Sequence, residues 1–233
     1  VWLLPPLPVA TRQGCPGLRS VIEGFAYLSR HPVLLMSFAV DLIAMIFGMP
    51  RALFPQVAHE SFGGPIEGGL EFAVLNAAMP VGAVLGGVLS GWVARVRRQG
   101  RAVNWAIGIW GVAMFGLGLA VGAAPGQRLA WLGVAFALLA IGGAADMASA
   151  AFRNTILLSA TDDAVRGRLQ GVFIVVVAGG PRIADALHGY VATGVGTAWT
   201  IAGGGLAVVI GIVLVSLLVP VFYRYEVTPA SVK

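Results

Sequence analysis

Long apolar stretches alternate with short polar loops along the chain, and six of the stretches are long enough to cross a bilayer as helices. A hydrocarbon core about 30 Å thick needs roughly 20 apolar residues in helical form. The pattern therefore predicts an all-α membrane protein whose six-helix bundle occupies residues 32–223. The predicted spans are residues 33–57, 68–94, 103–123, 129–152, 169–193 and 197–222.

A shorter amphipathic pattern precedes the first span, over residues 18–31. Val21, Ile22 and Phe25 recur there at helical spacing, and charged residues take the other face. Such a pattern favours a helix that lies in the membrane interface instead of crossing it. We expect this helix on the cytoplasmic surface.

The two ends of the chain differ from the bundle. Residues 1–17 contain four prolines and lack both a basic leading region and a small-residue cleavage site, so a signal peptide is not predicted. Residues 224–233 form a short tail, expected in the cytoplasm. Because the chain begins at Val1 and not at methionine, we expect it to be the later part of a longer protein.

Basic residues are distributed unevenly between the predicted loops. Of the 15 Lys and Arg residues, twelve fall on one side of the predicted bundle, whereas the opposite loops hold only Arg128. Cytoplasmic loops carry the excess of Lys and Arg in membrane proteins. We therefore expect a multi-pass protein of a bacterial cell membrane with both termini in the cytoplasm. The net charge of +5 then reflects topology, and nucleic acid is not an expected partner.

The composition suits helices packed in lipid, since 58% of residues are hydrophobic, 11% are charged and 33 are glycines. Gly82, Gly86 and Ser90 make a stripe of small residues that lets two helices approach closely. Cys15 is the single cysteine, and the sequence lacks a metal-ligand cluster and a phosphate-binding GxxxxGK[ST] motif. We expect no metal, no cofactor and no enzymatic activity.

Ionisable side chains at lipid depth are costly, so each one invites a functional reason. Asp41 lies near the middle of the first span, and Asp146 lies toward the cytoplasmic end of the fourth. Both are candidates for proton coupling. The alternative for Asp41 is a carboxyl group satisfied by a neighbouring helix. For Asp146 and Arg153, seven residues further on, the alternative is a structural role with their surroundings or with the basic loop.

The outer part of the first span contains Pro50 and Arg51 within Met49-Pro50-Arg51. Proline removes a backbone donor and kinks a helix, which frees carbonyl groups. The pair is a candidate for gating or substrate binding, although Arg51 can also extend to the outer surface as an anchor.

A second group of polar residues, Arg182, Asp185 and His188, lies in the fifth span. Opposite charges at positions i and i+3 of a helix can meet, so an intrahelical ion pair between Arg182 and Asp185 is one expectation. The other is that the three residues bind an anionic substrate or relay protons.

Three stretches resemble the C-terminal half of a major facilitator superfamily transporter, in the bacterial branch of enterobactin-exporter-like and macrolide-efflux-like proteins. They are residues 24–32 (GFAYLSRHP), residues 49–55 (MPRALFP) and Arg166-Gly167-Arg168 ahead of the fifth span. The resemblance covers about residues 18–226. It implies a half-bundle built from two three-helix repeats, whose first and fourth spans line a central cavity.

The connection after the second span resembles the superfamily's cytoplasmic loop signature, although it lacks the aspartate that often stands in that signature. The residues that carry this resemblance are Gly87, Gly91, Arg95, Arg97, Arg98 and Arg101, with Arg166, Gly167 and Arg168 in the later loop.

The resemblance implies export of a small molecule, such as a siderophore or a hydrophobic drug, driven by proton entry. It also implies a partner, because a complete transporter of this kind has twelve helices and a second six-helix bundle supplies the first half. The alternative is a membrane protein without transport activity that acts as an assembly or interaction subunit.

Overall fold

The computed structural model describes residues 18–125, 127–161 and 163–226, so the proline-rich segment 1–17 lies outside it. Six helices within these ranges are long and apolar enough to cross a membrane, which confirms the predicted all-α membrane fold. The helices are α1 Leu18–Arg30, α2 Pro32–Gly48, α3 Phe54–Glu60, α4 Leu70–Val88, α5 Gln99–Ala123, α6 Arg128–Ser159, α7 Asp163–Val195, α8 Thr197–Leu218 and α9 Pro220–Tyr223.

The first membrane crossing is broken near its C-terminal end. Helix α2 stops at Gly48, and a short 3-10 helix, Arg51–Leu53, connects it to α3. Pro50 has no N–H to give to the carbonyl four residues earlier, so the α-helical ladder cannot continue through it. The crossing as a whole runs from Pro32 to Glu60, three residues beyond the predicted end at 57.

Several helices extend further than the apolar pattern predicts. Helix α6 continues past residue 152 to Ser159, and α7 begins at Asp163 instead of 169. Helix α5 begins at Gln99, which brings Arg101 into its first turn. The apolar stretch marks the part of a helix that lies in hydrocarbon, whereas the helix itself continues into the polar interface.

The membrane helices pack in the spatial order α4, α6, α5, α8, α2, α7, and α1 packs on α7. Helix α5 lies at the centre, in contact with α6, α8 and α2. The most deeply buried side chains, which include Leu75, Met114, Leu139 and Ile201, fill the space between these helices. Helices α4 and α7 lie at the two ends of the series.

Glycines allow the closest helix contacts. A Cβ atom on Gly82 of α4 would overlap the Ala140 carbonyl oxygen of α6, and one on Gly143 of α6 would overlap the Met79 carbonyl oxygen of α4. Gly86 continues the same contact one turn further along. The predicted stripe of small residues therefore brings α4 against α6, where van der Waals contact between backbones replaces side-chain packing.

The α4–α6 contact can be tested with two glycines of α6. We expect Gly143→Ala to lower the free energy of unfolding by about 1–3 kcal/mol, because the added methyl group forces the helices apart. Gly133→Ala is the matched control, since a Cβ atom there meets nothing within 4 Å. Unfolding of the purified chain in detergent measures both; equal stability of the two variants would contradict the contact.

Candidate functional site

Asp41 of α2 and Arg153 of α6 form an ion pair inside the bundle. The Asp41 side chain is 3% exposed and the Arg153 side chain 10% exposed. Arg153 Nε also donates a hydrogen bond to Ser149 Oγ, at 3.3 Å, which orients the guanidinium group from within its own helix. The pair thus joins the first and fourth membrane crossings by a buried charge interaction.

The sequence pattern did not pair these two residues. It presented Asp41 as an isolated carboxylate and Arg153 as a residue of the basic end of its helix. Side chains on a helix tilt toward the helix N-terminus. The N-terminus of α6, at Arg128, is the end away from Arg153, so this arginine reaches into the membrane and not toward the loop. The geometry thus gives Asp41 a partner on a neighbouring helix, and its role in proton coupling stays a prediction.

Asp146 and Arg51 extend this pair into a cluster of four charges. Asp146 lies on α6 at a rise of about 10 Å from Arg153, and its carboxylate interacts electrostatically with both Arg153 and Arg51. It also interacts with Asp41. Asp146 and Arg51 are exposed in this chain. The cluster therefore has two carboxylates and two guanidinium groups; Asp41 and Arg153 are in direct contact inside the bundle, whereas Asp146 and Arg51 are exposed and do not form an ion pair among the described residues.

A cavity of about 450 Å³ lies between α2, α6 and α7, and Arg153 forms part of its wall. Asn154 and Gln170 add polar groups, and Phe38 and Phe173 add aromatic ones. The two phenylalanine rings meet edge to face with their centroids 6.3 Å apart, which connects α2 to α7. The volume of the cavity lies in the range of small-molecule sites, and an apolar wall with a few polar groups is typical of such sites.

His188 of α7 compensates for the break in α2. Its Nε2–H donates to the Phe47 carbonyl oxygen at 3.0 Å. The α-helical donor to that carbonyl would be the N–H of Arg51, which lies beyond the break. Gly204 of α8 leaves room for this bond, since a Cβ atom there would overlap the Phe47 oxygen. Pro50 predicted the free carbonyl groups, but no local signal pointed to His188 as a donor.

The expected ion pair between Arg182 and Asp185 is not formed in the part of the chain that the structure describes. Arg182 is exposed and Asp185 is half-buried. A carboxylate three residues from an arginine permits such a pair without enforcing it, because an exposed pair gains little beyond what water provides. Asp185 instead interacts electrostatically with His188, one turn further on.

Two arginines of the loop signature form ion pairs with glutamates outside it. Arg98 forms an ion pair with Glu226 at 2.8 Å, and Arg168 forms one with Glu23 of α1 at 3.5 Å. Glu226, near the end of the described chain, thus supplies negative charge to the loop after α4, which lacks the usual aspartate. Gly87 lies in the last turn of α4; Gly91, Arg95, Arg97 and Gly167 are exposed, and Arg166 lies in the first turn of α7.

Curated relatives match almost the whole chain. An alignment of 241 residues, 29% identical, covers 98% of this chain and 52% of a protein from Shigella boydii serotype 18 named "Enterobactin exporter EntS". Proteins of the same name from Escherichia coli O139:H28 and Escherichia fergusonii match with the same identity and coverage. The chain spans about half the length of these relatives.

The sequence similarity to exporters about twice as long and the six apolar helices are consistent with one half of a major facilitator fold. No family model matches the chain. No solved structure matches it either. This comparison with a known fold rests on the similarity to the exporters along almost the whole chain and on the six apolar helices. In this half-bundle, the first and fourth crossings are the two helices that the Asp41–Arg153 pair joins.

The buried pair should behave as a unit in stability measurements on the half-bundle. We expect Arg153→Gln to lower the free energy of unfolding by about 3–5 kcal/mol, because it leaves Asp41 buried without its counter-ion. The double variant Asp41→Asn with Arg153→Gln should lose less than Arg153→Gln alone.

Arg168→Gln is the matched control, since it removes an ion pair whose side chains are 49% and 40% exposed. We expect it to change stability by about 0–1 kcal/mol. Chemical unfolding of the detergent-solubilised protein measures the stability of all four variants: Arg153→Gln, Asp41→Asn, their double variant and Arg168→Gln. Strictly additive effects of Asp41→Asn and Arg153→Gln would contradict the pairing.

Proposed function

We propose that the chain is the C-terminal half of a proton-coupled exporter of small molecules in the inner membrane of a bacterium. The observation that carries this proposal is the buried Asp41–Arg153 pair at the wall of a cavity between membrane helices. The names of the relatives support export, and a siderophore or a hydrophobic drug is the proposed cargo. Transport requires no catalytic group, in keeping with a site made of charges and aromatic rings.

In this proposal Asp41 and Asp146 take up the coupling proton. An aspartate that accepts a proton loses its charge, and the guanidinium group beside it then lacks a counter-ion. Because Arg153 forms part of the cavity wall, proton uptake from outside would break its ion pair with Asp41 and release the substrate. Loss of the proton to the cytoplasm would restore the pair and the substrate-binding state, so that proton and substrate alternate at the site and move in opposite directions.

The gating role falls to the broken first crossing in this proposal. The segment at Pro50 and Arg51 has no continuous helical ladder to hold it, and one hydrogen bond from His188 ties its free carbonyl to α7. Hinges of this kind absorb changes in backbone angles when a transporter alternates between its open states. Arg182 and Asp185 remain candidates for substrate contact from α7.

The working unit requires a second six-helix bundle, which the first half of the exporter would provide. Asp146 and Arg51 are exposed here, and charges exposed at lipid depth are costly unless protein or a water-filled cavity covers them. Apolar side chains of α4 and α7, such as Leu85 and Ile174, are exposed at the two ends of the helix series. A second bundle placed against these surfaces would enclose the cavity.

Membrane orientation is the first test of this proposal. In a Cys15→Ser background, we expect a cysteine at Arg97 to react with a membrane-impermeant maleimide only after the cells are permeabilised, because the arginine-rich side is proposed to be cytoplasmic. A cysteine at Glu67, in the loop before α4, is the control and should react in intact cells. Reaction at position 97 from outside would overturn the orientation.

Transport is the second test, with enterobactin as the probe in everted membrane vesicles that contain the chain together with a first-half bundle. We expect accumulation driven by a pH gradient, and we expect Asp41→Asn to abolish its dependence on the gradient. Glu67→Gln removes an exposed loop carboxylate and should leave the flux unchanged. Unaltered gradient dependence in Asp41→Asn would remove Asp41 from coupling. The absence of any gradient-driven flux would favour the assembly-subunit alternative.

A further inference from the structure

A second concavity lies on the opposite side of the bundle from the charged cluster. It is a groove of about 720 Å³ between α5 and α8, and we call it the α5–α8 groove. Trp105, Ile109 and Val112 of α5 line one wall, and Val213 and Leu217 of α8 line the other. Asn104 Nδ2 donates to Ser216 Oγ at 2.7 Å and joins the two helices within the groove.

The groove faces away from the proposed partner bundle. Leu138 and Ile141 of α6 border it, whereas Met147 and Asn154 of the same helix border the cavity described above. At 3.6 residues per turn these two pairs lie on opposite faces of α6. The large side chains Trp105 and Leu217 are 69% and 72% exposed. The surface is therefore available to lipid.

The groove extends through one leaflet only. Ala113, the α5 lining residue furthest from the arginine-rich end, lies about 18 Å from Arg101 at 1.5 Å per residue. Half of a hydrocarbon core is about 15 Å thick. A transmembrane helix of a partner would need a contact surface over the full thickness, whereas one acyl chain of the arginine-side leaflet needs only this depth.

The mouth of the groove is cationic. Tyr223 lines the groove, and the Arg101 guanidinium carbon lies 5.1 Å from the centre of its ring. Arg101 Nε is buried and has no hydrogen-bond partner among the described residues. Arg98 on the same side is already neutralised by Glu226. Arg101 is thus the cation at this mouth that a phosphate group can pair with.

We infer that the α5–α8 groove binds one anionic phospholipid of the leaflet at the arginine-rich side, with an acyl chain between α5 and α8 and the phosphate at Arg101. Basic positions at the membrane interface attract anionic headgroups by about 1 kcal/mol for each Lys or Arg. Apolar burial holds the chain, and charge selects the headgroup. The site is independent of transport, and its test does not require flux.

Native mass spectrometry of the purified chain with phosphatidylglycerol or phosphatidylcholine of the same acyl composition tests the inference. We expect one tightly bound phosphatidylglycerol, with roughly fivefold preference over phosphatidylcholine. Arg101→Gln should remove the preference. Arg97→Gln is the matched control, because it removes an exposed arginine of the same basic region and should keep the preference.

A glycine in the groove provides a second, independent variant. A Cβ atom on Gly108 meets nothing within 4 Å, so Gly108→Leu fills the groove without displacing a helix. It should weaken binding of both lipids, whereas Gly203→Leu, at an open position outside the groove on α8, should leave binding unchanged. Equal affinity for the two lipids, retained preference in Arg101→Gln, or full binding in Gly108→Leu would each overturn the inference. The inference would also be overturned if the chain formed a dimer that Gly108→Leu dissociated while lipid binding stayed the same.

Discussion

The ion pair between Asp41 and Arg153 is the interaction on which the interior of this bundle depends. A single charge buried among apolar helices costs several kcal/mol, and a counter-ion in direct contact offsets that cost. Helix α6 must therefore remain helical beyond the apolar part of its sequence, so that Arg153 is presented at the level of Asp41. The pair therefore fixes the level at which α2 and α6 meet beside the cavity.

The Asp41–Arg153 pair joins a continuous helix, α6, to the broken first crossing. Helix α6 runs unbroken over 32 residues, whereas the first crossing is interrupted after Gly48. In lipid every backbone polar group needs a partner, so an interruption persists only where other groups satisfy it. His188 does so for the Phe47 carbonyl, and Gly204 allows the approach. The crossing is thus anchored at Asp41 and interrupted at Pro50, which places any bending on the C-terminal side of Asp41.

Patterns within one helix were predictable from the sequence, including the small-residue stripe that allows a close helix contact, whereas the partner of each helix was not. The six crossings follow from apolar length, and the break follows from Pro50, because both depend on neighbouring residues. The Asp41–Arg153 pair depends on how two distant segments pack, which no spacing rule reveals. The spacing rule that was available, for Arg182 and Asp185, predicted a pair that does not form. The position of Asp41 within an apolar span marked it as a costly buried charge, but only the helix packing shows that Arg153 is its counter-ion.

The charge balance of the cluster constrains how transport could be coupled. With both carboxylates ionised, Asp41 and Asp146 balance Arg51 and Arg153, so the four groups have no net charge. One added proton leaves a net charge of +1, which is costly at lipid depth. The excess is removed when an arginine is exposed to water, which requires Arg153 to leave its buried position, 10% exposed, and therefore requires α2 and α6 to separate. Because Arg153 forms part of the cavity wall, this separation changes the cavity and would link proton uptake to release of the substrate.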